Sequence, residues 1–240
     1  MQIVISTVNH VKARDLNSRI FKQLCIAENS DHQTLLMHTA VRWLSRGKTL
    51  ERVFLLRSEL ATFLQDQGHK NAQYFCDPHF LARLALLTDI FEHVNKLNTQ
   101  LQGKGKWVFD LQCAIKAFVN KLQILREQAE ADSFCLFHHY LEFTATVDLD
   151  FDETLDFAEE KQDLLEYLQK LAEIFQDRFP DLLTESFDIV QFPFKTDVKQ
   201  CGSFALEMAE LQADNEARVN FDVYGDIAKF WITLSERHCD

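Results

Sequence analysis

The chain has 240 residues, a hydrophobic content of 47% and a formal net charge of −12. This length and hydrophobic content are enough for one large domain or two modest ones, each with a buried core. Because no apolar run is long enough to span a membrane and the N-terminus lacks a secretory signal, we expect a soluble intracellular protein without membrane contact.

Residues that break helices are scarce in this sequence. It contains only 6 glycines and 3 prolines, whereas Leu, Glu, Gln, Lys and Ala occur in long runs. Such a composition favours a mainly α-helical protein with few tight turns. The 21 phenylalanines predict that the helices pack through aromatic side chains.

Charge is distributed unevenly along the chain. Residues 1–70 carry 10 Lys+Arg and 6 Asp+Glu, residues 71–126 carry 7 and 4, and residues 127–240 carry 8 and 27. A basic segment attracts phosphates and an acidic one repels them. Any nucleic-acid contact is therefore expected before about residue 126.

The first 70 residues combine two short helices, a strand and a long helix. The two short helices are expected within residues 1–25. The second begins near Asp15 or Asn17, whose side-chain oxygens can cap free backbone N–H groups, and a polar turn follows it. The apolar run at residues 35–37 is compatible with a buried strand. From Trp43 the apolar residues recur at helical spacing up to about Gln67, where Gly68 suits a helix C-terminus.

The rest of the chain predicts a series of helices. They are expected at residues 80–102, 108–130, 153–179, 203–212 and 227–237. An acidic run at residues 148–153 is interpreted as a loop, and Pro180 ends the helix that follows it. Residues 187–198, which include Pro193, are expected to be irregular.

The stretch VRWLSRGKTLERVFLLRSEL, residues 41–60, resembles the hAT superfamily of DNA transposases. The resemblance is greatest to copies that vertebrate genomes have domesticated, among them BED zinc-finger proteins, SCAN-domain fusions and general transcription factor II-I repeat proteins. Further similar stretches follow in the same order as in that family, at residues 8–25, 80–106, 175–182, 191–198 and 206–214. The similarity therefore covers nearly the whole chain.

The resemblance implies a fold and argues against catalysis. Active members of the superfamily cut DNA with three carboxylates that hold two divalent metals on an RNase H-like sheet. None of the three carboxylates has a matching position in this chain. We therefore expect no enzyme activity, no cofactor, no bound metal and no small-molecule substrate.

The basic residues around Trp43 form the candidate DNA-binding site, which comprises Arg42, Trp43, Arg46, Lys48 and Arg52. In catalytic relatives the matching tryptophan helps to handle a DNA hairpin, so the resemblance implies a stacking platform at Trp43. An indole stacks on unpaired bases while neighbouring cations neutralise phosphates. A tryptophan at such a junction is equally well explained as a core anchor. Ala40 stands where many relatives have an acidic residue, which weakens the match.

Two groups of residues with metal-binding side chains are interpreted as structural. Cys135, His138 and His139 lie close in sequence, but no second group completes a zinc site. The acids at residues 148–153 lack the turn glycine of a calcium loop and are expected to be a solvated surface. The six cysteines contain no C-x-x-C pair, which is typical of reduced thiols.

These observations predict a mainly α fragment of an RNase H-like transposase domain with few short strands and a large helical insertion. Residues 1–70 would be the partial RNase H-like region, 71–200 the helical insertion and 201–240 the start of a dimerisation region. The leading function is non-catalytic association with DNA or chromatin in the nucleus, through binding or assembly. The alternatives are a helical interaction or homodimerisation module without DNA affinity, and a truncated relic. The leading function and the interaction module differ in whether Arg42, Arg46, Lys48, Arg52 and Arg57 form an exposed basic face near Trp43 or are paired with acids of the second half.

Overall fold

The computed structural model describes residues 1–36, 43–103, 106–150, 155–180 and 188–237. Contacts divide the chain into two compact units, Met1–Pro180 and Asp181–Asp240, which we call unit 1 and unit 2. The described residues are mainly helical and include no β-strand, which confirms the predicted helical class. None of their helices is long and apolar enough to cross a membrane. The three-part division at residues 70 and 200 stays a prediction.

Unit 1 is an assembly of helices. In chain order these are α1 (Gln2–Lys12), α2 (Asp15–Ala27), α3 (Trp43–Leu55), α4 (Arg57–Asp66), α5 (Ala72–Phe75), α6 (Pro78–Leu101), α7 (Val108–Glu130), α8 (His138–Asp150) and α9 (Ala158–Arg178).

Helix α6 is the central element of unit 1, since α3, α5, α7, α8 and α9 all pack against it. Pro78 occupies its first turn, and the Asp77 side chain accepts a hydrogen bond from the His79 backbone N–H at 3.0 Å. Proline suits this position because the first N–H groups of a helix have no partner within the helix. The middle of α6 is buried around much of its circumference through Ala82, Leu84, Ala85, Leu86, Thr88, Asp89, Ile90 and Phe91.

The predicted strand at residues 35–37 is wrong where the structure describes it. Leu35 and Leu36 lie in no regular secondary structure, although Leu35 is buried, and Met37 lies outside the described residues. An apolar run indicates burial, and here the burial is achieved by an irregular segment packed on helices rather than by a sheet.

The predicted long helix after Trp43 consists of two helices. Leu56 departs from helical geometry at φ −106° and ψ 25°, between α3 and α4, and its side chain is fully buried. Leu60, Phe63 and Leu64, which follow the break, lie in the core. Gly68, in the left-handed region at φ 55°, follows α4 as predicted.

The helices predicted at residues 80–102, 108–130 and 153–179 are present with similar bounds, whereas α8, which lies between α7 and α9, was not predicted as a helix. Helix α8 extends to Asp150, so the loop predicted from Asp148 is wrong for its first three residues, and residues 151–154 lie outside those described. The connection between α6 and α7 contains Gly103, and α7 occupies the predicted residues. Helix α5 was not predicted, because four residues show no periodicity.

Unit 2 is a small group of helices with its own aromatic core. It contains α10 (Asp188–Gln191), α11 (Ala205–Ala213), α12 (Asn215–Tyr224) and α13 (Ile227–Arg237). The rings of Phe194, Phe221 and Phe230 meet edge to face, with centroids 5.0–6.0 Å apart. Helix α10 lies in the segment expected to be irregular, and α12 was missed.

Gly47 allows the close approach of α3 and α6. It is buried in the middle of α3, and a Cβ atom added to it would lie 2.1 Å from Nδ2 and 2.8 Å from Cγ of Asn95 on α6. Any larger residue would have to displace this amide. The glycine within the basic motif therefore has a packing role.

We expect Gly47→Ala to destabilise unit 1 because the added methyl group overpacks the contact, at a cost of about 1–2 kcal/mol. In an Asn95→Ala background the same change should stabilise by roughly 1 kcal/mol, since alanine favours a helix and the obstructing amide is gone. Urea unfolding of the four proteins of this double-mutant cycle measures both effects. Equal effects of Gly47→Ala in the two backgrounds would contradict the close contact.

Candidate nucleic-acid interface and the junction of α6 with α8

Helix α3 begins at Trp43, as the motif predicts. Arg42 lies outside the described residues, and the structure describes the backbone of Trp43 but not its side chain. From Arg46 onward the helical repeat separates two faces. Leu50, Val53 and Phe54 are fully buried, whereas Lys48 is exposed. Helix α3 thus has the predicted amphipathic form.

The other predicted cations of this site have internal contacts. Arg46 is half-buried and already takes part in an interaction. Arg52 is also half-buried, and its guanidinium donates a hydrogen bond to the Thr34 carbonyl oxygen at 3.0 Å. Of the candidate residues whose side chains the structure describes, Lys48 alone is exposed. The structure thus gives α3 a smaller exposed basic surface than the sequence suggests.

Arg57, the next cation along the motif, is held by three groups. Its guanidinium carbon lies 4.3 Å from the centroid of the Phe54 ring. Its Nη1 group donates a hydrogen bond to the Phe54 carbonyl oxygen at 3.0 Å. It also pairs with Glu142 of α8 at 3.3 Å. This pair joins the basic first half to the acidic second half, as the interaction-module hypothesis expects.

Next to this pair, Asp89 connects α6 with the start of α8. Its side chain is 3% exposed, and its carboxylate accepts hydrogen bonds from the backbone N–H groups of His139 at 3.0 Å and Tyr140 at 3.1 Å. The first N–H groups of a helix need such acceptors, and a negative charge there is also favoured by the helix dipole. An aspartate of one helix therefore caps another helix 50 residues later in the chain.

The same carboxylate interacts with the His139 side chain. Nδ1 of His139 lies 2.7 Å from Oδ1 of Asp89, and because a carboxylate only accepts, Nδ1 carries the proton. The hydrogen bond to Asp89 raises the pKa of His139, with smaller contributions from Glu92 and Glu51, while burial acts in the opposite direction. The imidazole also meets Phe54 edge to face, with centroids 5.2 Å apart.

Asp89, Glu92 and His139 are the metal-capable cluster of the described residues, with potential ligand atoms within 4.8 Å of one another. Nδ1 of His139 and both Asp89 oxygens already take part in hydrogen bonds, so a metal bound through these atoms would have to displace them. The arrangement is explained as a helix cap with an ion pair. Cys135 is not part of the cluster, and its sulfur lies near Ser133 and Gln128 instead.

Sequence reasoning missed the role of Asp89. The signal was present, since Asp89 interrupts the apolar stripe of α6 between Leu87 and Ile90. A charged residue in the buried stripe of a helix needs a partner. The sequence does not show which later helix supplies it, because the partner N–H groups belong to the backbone.

The described residues define a helical domain whose polar contacts join helices to one another. The profile of the FAM200/GTF2IRD2-like family, described as the FAM200/GTF2IRD2 helical domain, matches residues 1–130. The chain belongs to this family, which is transposase-derived. It is also 29% identical over 232 residues to the mouse (Mus musculus) General transcription factor II-I repeat domain-containing protein 2.

That alignment covers 94% of this chain but 23% of the mouse protein, so the chain spans about a quarter of its relative. No solved structure matches the chain. Family membership confirms the predicted resemblance to domesticated transposase-derived proteins.

We expect Asp89→Asn to lower the free energy of unfolding by about 2 kcal/mol, because a charged acceptor of buried N–H groups is lost. Asp110→Asn is the matched control. Asp110 also accepts a backbone N–H, from Trp107 at 2.9 Å, but it is exposed on the first turn of α7. The control should cost only a few tenths of a kcal/mol. Denaturant unfolding measures both, and equal losses would contradict the role assigned to Asp89.

The raised pKa of His139 makes its contribution to stability pH-dependent. The protonated ring is favoured in the folded state, so its stabilisation is complete below the ordinary histidine pKa of about 6.5 and is lost as the pH rises through the higher folded value. The difference in unfolding free energy between the wild type and His139→Gln should therefore shrink above about pH 6.5. The other histidines titrate in both proteins, so their contributions cancel in this difference. A difference that stays constant from pH 5.5 to about 9 would disprove the ion pair.

Proposed function

We propose that this chain acts without catalysis, as an assembly module of a DNA- or chromatin-associated nuclear protein. Its family and the transcription-factor name of its mouse relative support this setting. The descent of residues 1–70 from an RNase H-like hAT transposase domain belongs to the same proposal. EDTA-sensitive cleavage of DNA by the purified chain would overturn its non-catalytic part.

The observation that carries the proposal is the exposed apolar surface of unit 2. Five large apolar side chains of this unit are 59–80% exposed, namely Phe204, Leu206, Val219, Val223 and Ile232. We call them the unit 2 apolar set. Val219 and Val223 lie one turn apart on the same side of α12. Five such side chains are many for a 60-residue unit, and we propose that they contribute to an interaction surface.

A second copy of the chain is the partner that we propose for this surface. The phenylalanine core of unit 2 is already formed by Phe194, Phe221 and Phe230, so the unit 2 apolar set is not needed within the unit. The region that begins at residue 201 is also the one whose resemblance implies dimerisation. A symmetric dimer pairs the same surface of each copy, so both copies bury their exposed apolar residues together.

We expect the full chain to form dimers, and Val223→Asp to raise the dimer dissociation constant at least tenfold, because a charge would enter the apolar contact. Val108→Asp is the matched control, since Val108 is 44% exposed at the start of α7 in unit 1. Sedimentation velocity over a concentration series measures both. A monomeric wild type, or a Val223→Asp protein that dimerises like the wild type, would count against this surface.

Direct DNA binding through α3 is the second candidate function. Lys48 is exposed, Trp43 begins the same helix, and residues 1–126 have an excess of basic side chains. The contacts of Arg46, Arg52 and Arg57 limit this surface. The second candidate therefore depends on Lys48 together with Arg42 and Trp43.

For this candidate we expect salt-sensitive binding of hairpin-ended DNA, with tighter binding than to plain duplex and loss of that preference in Trp43→Ala. Lys48→Glu should weaken binding roughly tenfold through repulsion of phosphate. Lys170→Glu, which changes an exposed lysine of α9, is the control and should bind like the wild type. Fluorescence anisotropy over a salt series measures the dissociation constants. Equal loss in both lysine variants would indicate a non-specific charge effect.

A further inference from the structure

A groove between α6 and α9 of unit 1 has apolar walls and an acidic rim. It contains a cavity of about 200 Å³ whose lining includes Leu86, Leu87, Ile90, Leu164 and Tyr167. Tyr167 remains 37% exposed at its edge. Such a groove accommodates aliphatic side chains of an incoming helix.

Negative charge exceeds positive charge along this groove. The Arg83 guanidinium lies 3.2 Å from Glu159, 3.2 Å from Glu160 and 3.0 Å from Asp163, so one cation is shared by three carboxylates. His79 approaches Glu160 at 3.3 Å. Glu160 is fully buried and is paired with Arg83 and His79. Glu159 and Asp163 are exposed at the rim and share the same guanidinium, which leaves negative charge there for an incoming cation.

Helix α2 exposes aliphatic and basic side chains, which are complementary to the apolar walls and acidic rim of the groove. Phe21 and Cys25 on one side are buried, whereas Leu16 and Ile20, one turn apart on the other side, are 60% and 41% exposed. Arg19 is exposed next to them, and Lys22 is exposed beside it. An exposed helix face that combines aliphatic and basic residues matches an apolar groove with surplus carboxylates.

We propose that the groove between α6 and α9 receives helix α2 of a second copy of the chain. Leu16 and Ile20 enter the apolar part of the groove, and Arg19 and Lys22 pair with Asp163 and Glu159 at its rim. The two copies contribute different surfaces, so the contact is heterologous and extends from copy to copy. It is separate from the unit 2 apolar set and from the symmetric dimer proposed above.

The test uses 240-residue chains that all carry Val223→Asp, so that the dimer contact of unit 2 does not contribute. A groove variant carries Glu159→Lys and Asp163→Lys, which change residues with 80% and 59% exposed side chains. A helix variant carries Leu16→Asp and Arg19→Glu, both at exposed positions. Circular dichroism checks that each protein is folded, and sedimentation velocity at low and high salt measures association.

We expect the parent to associate in a concentration- and salt-dependent manner, and each variant alone to associate at least tenfold more weakly. An equimolar mixture should form a complex of one helix variant and one groove variant, because together they retain one intact groove and one intact α2. A mixture that stays monomeric overturns the proposal, as does a parent that does not associate. Association of the groove variant alone, at parental strength, overturns it as well.

Discussion

The carboxylate of Asp89 is the constraint on which the arrangement of unit 1 depends. A buried carboxylate is stable only when its acceptor sites are filled, and here the N-terminus of α8 fills them. The need is mutual, because the first N–H groups of α8 would otherwise lack acceptors. Since α6 also packs against α3, α7 and α9, this contact joins α8 to the central helix of the unit. This polar contact therefore fixes the position of α8 along α6 more specifically than apolar packing alone would.

The basic motif has a structural role that its resemblance to a DNA-handling segment does not suggest. Phe54 lies between Arg57 and His139, so the cation of α4, the aromatic ring of α3 and the imidazole of α8 form one continuous set of contacts. Glu142 completes the set from the same helix as His139. These contacts account for several residues of the motif by packing, so the sequence of the motif alone is no argument for DNA binding.

Periodicity predicted the long helices well because most of their buried stripes are apolar and regular. It failed at Leu56, since a break that keeps a residue buried leaves the pattern of apolar positions unchanged. It also gave a strand at Leu35 and Leu36, where burial and extended conformation could not be told apart. The candidate site was predicted as Trp43 with a set of basic residues around it. Which of them are exposed depends on long-range partners such as Thr34 and Glu142, which no local pattern encodes.

The uneven charge of the chain now has a physical interpretation. Some basic residues of the first half form ion pairs with acids of the second half inside unit 1. Arg57 pairs with Glu142, and Arg83 pairs with three carboxylates at the start of α9. The remainder is left on separate surfaces, basic on α2 and acidic along α9. Charges of opposite sign on one molecule that are not paired within it favour association between copies, whereas a polyanion must compete with the acidic helices for the same cations. Assembly therefore follows more directly from this charge distribution than nucleic-acid binding does.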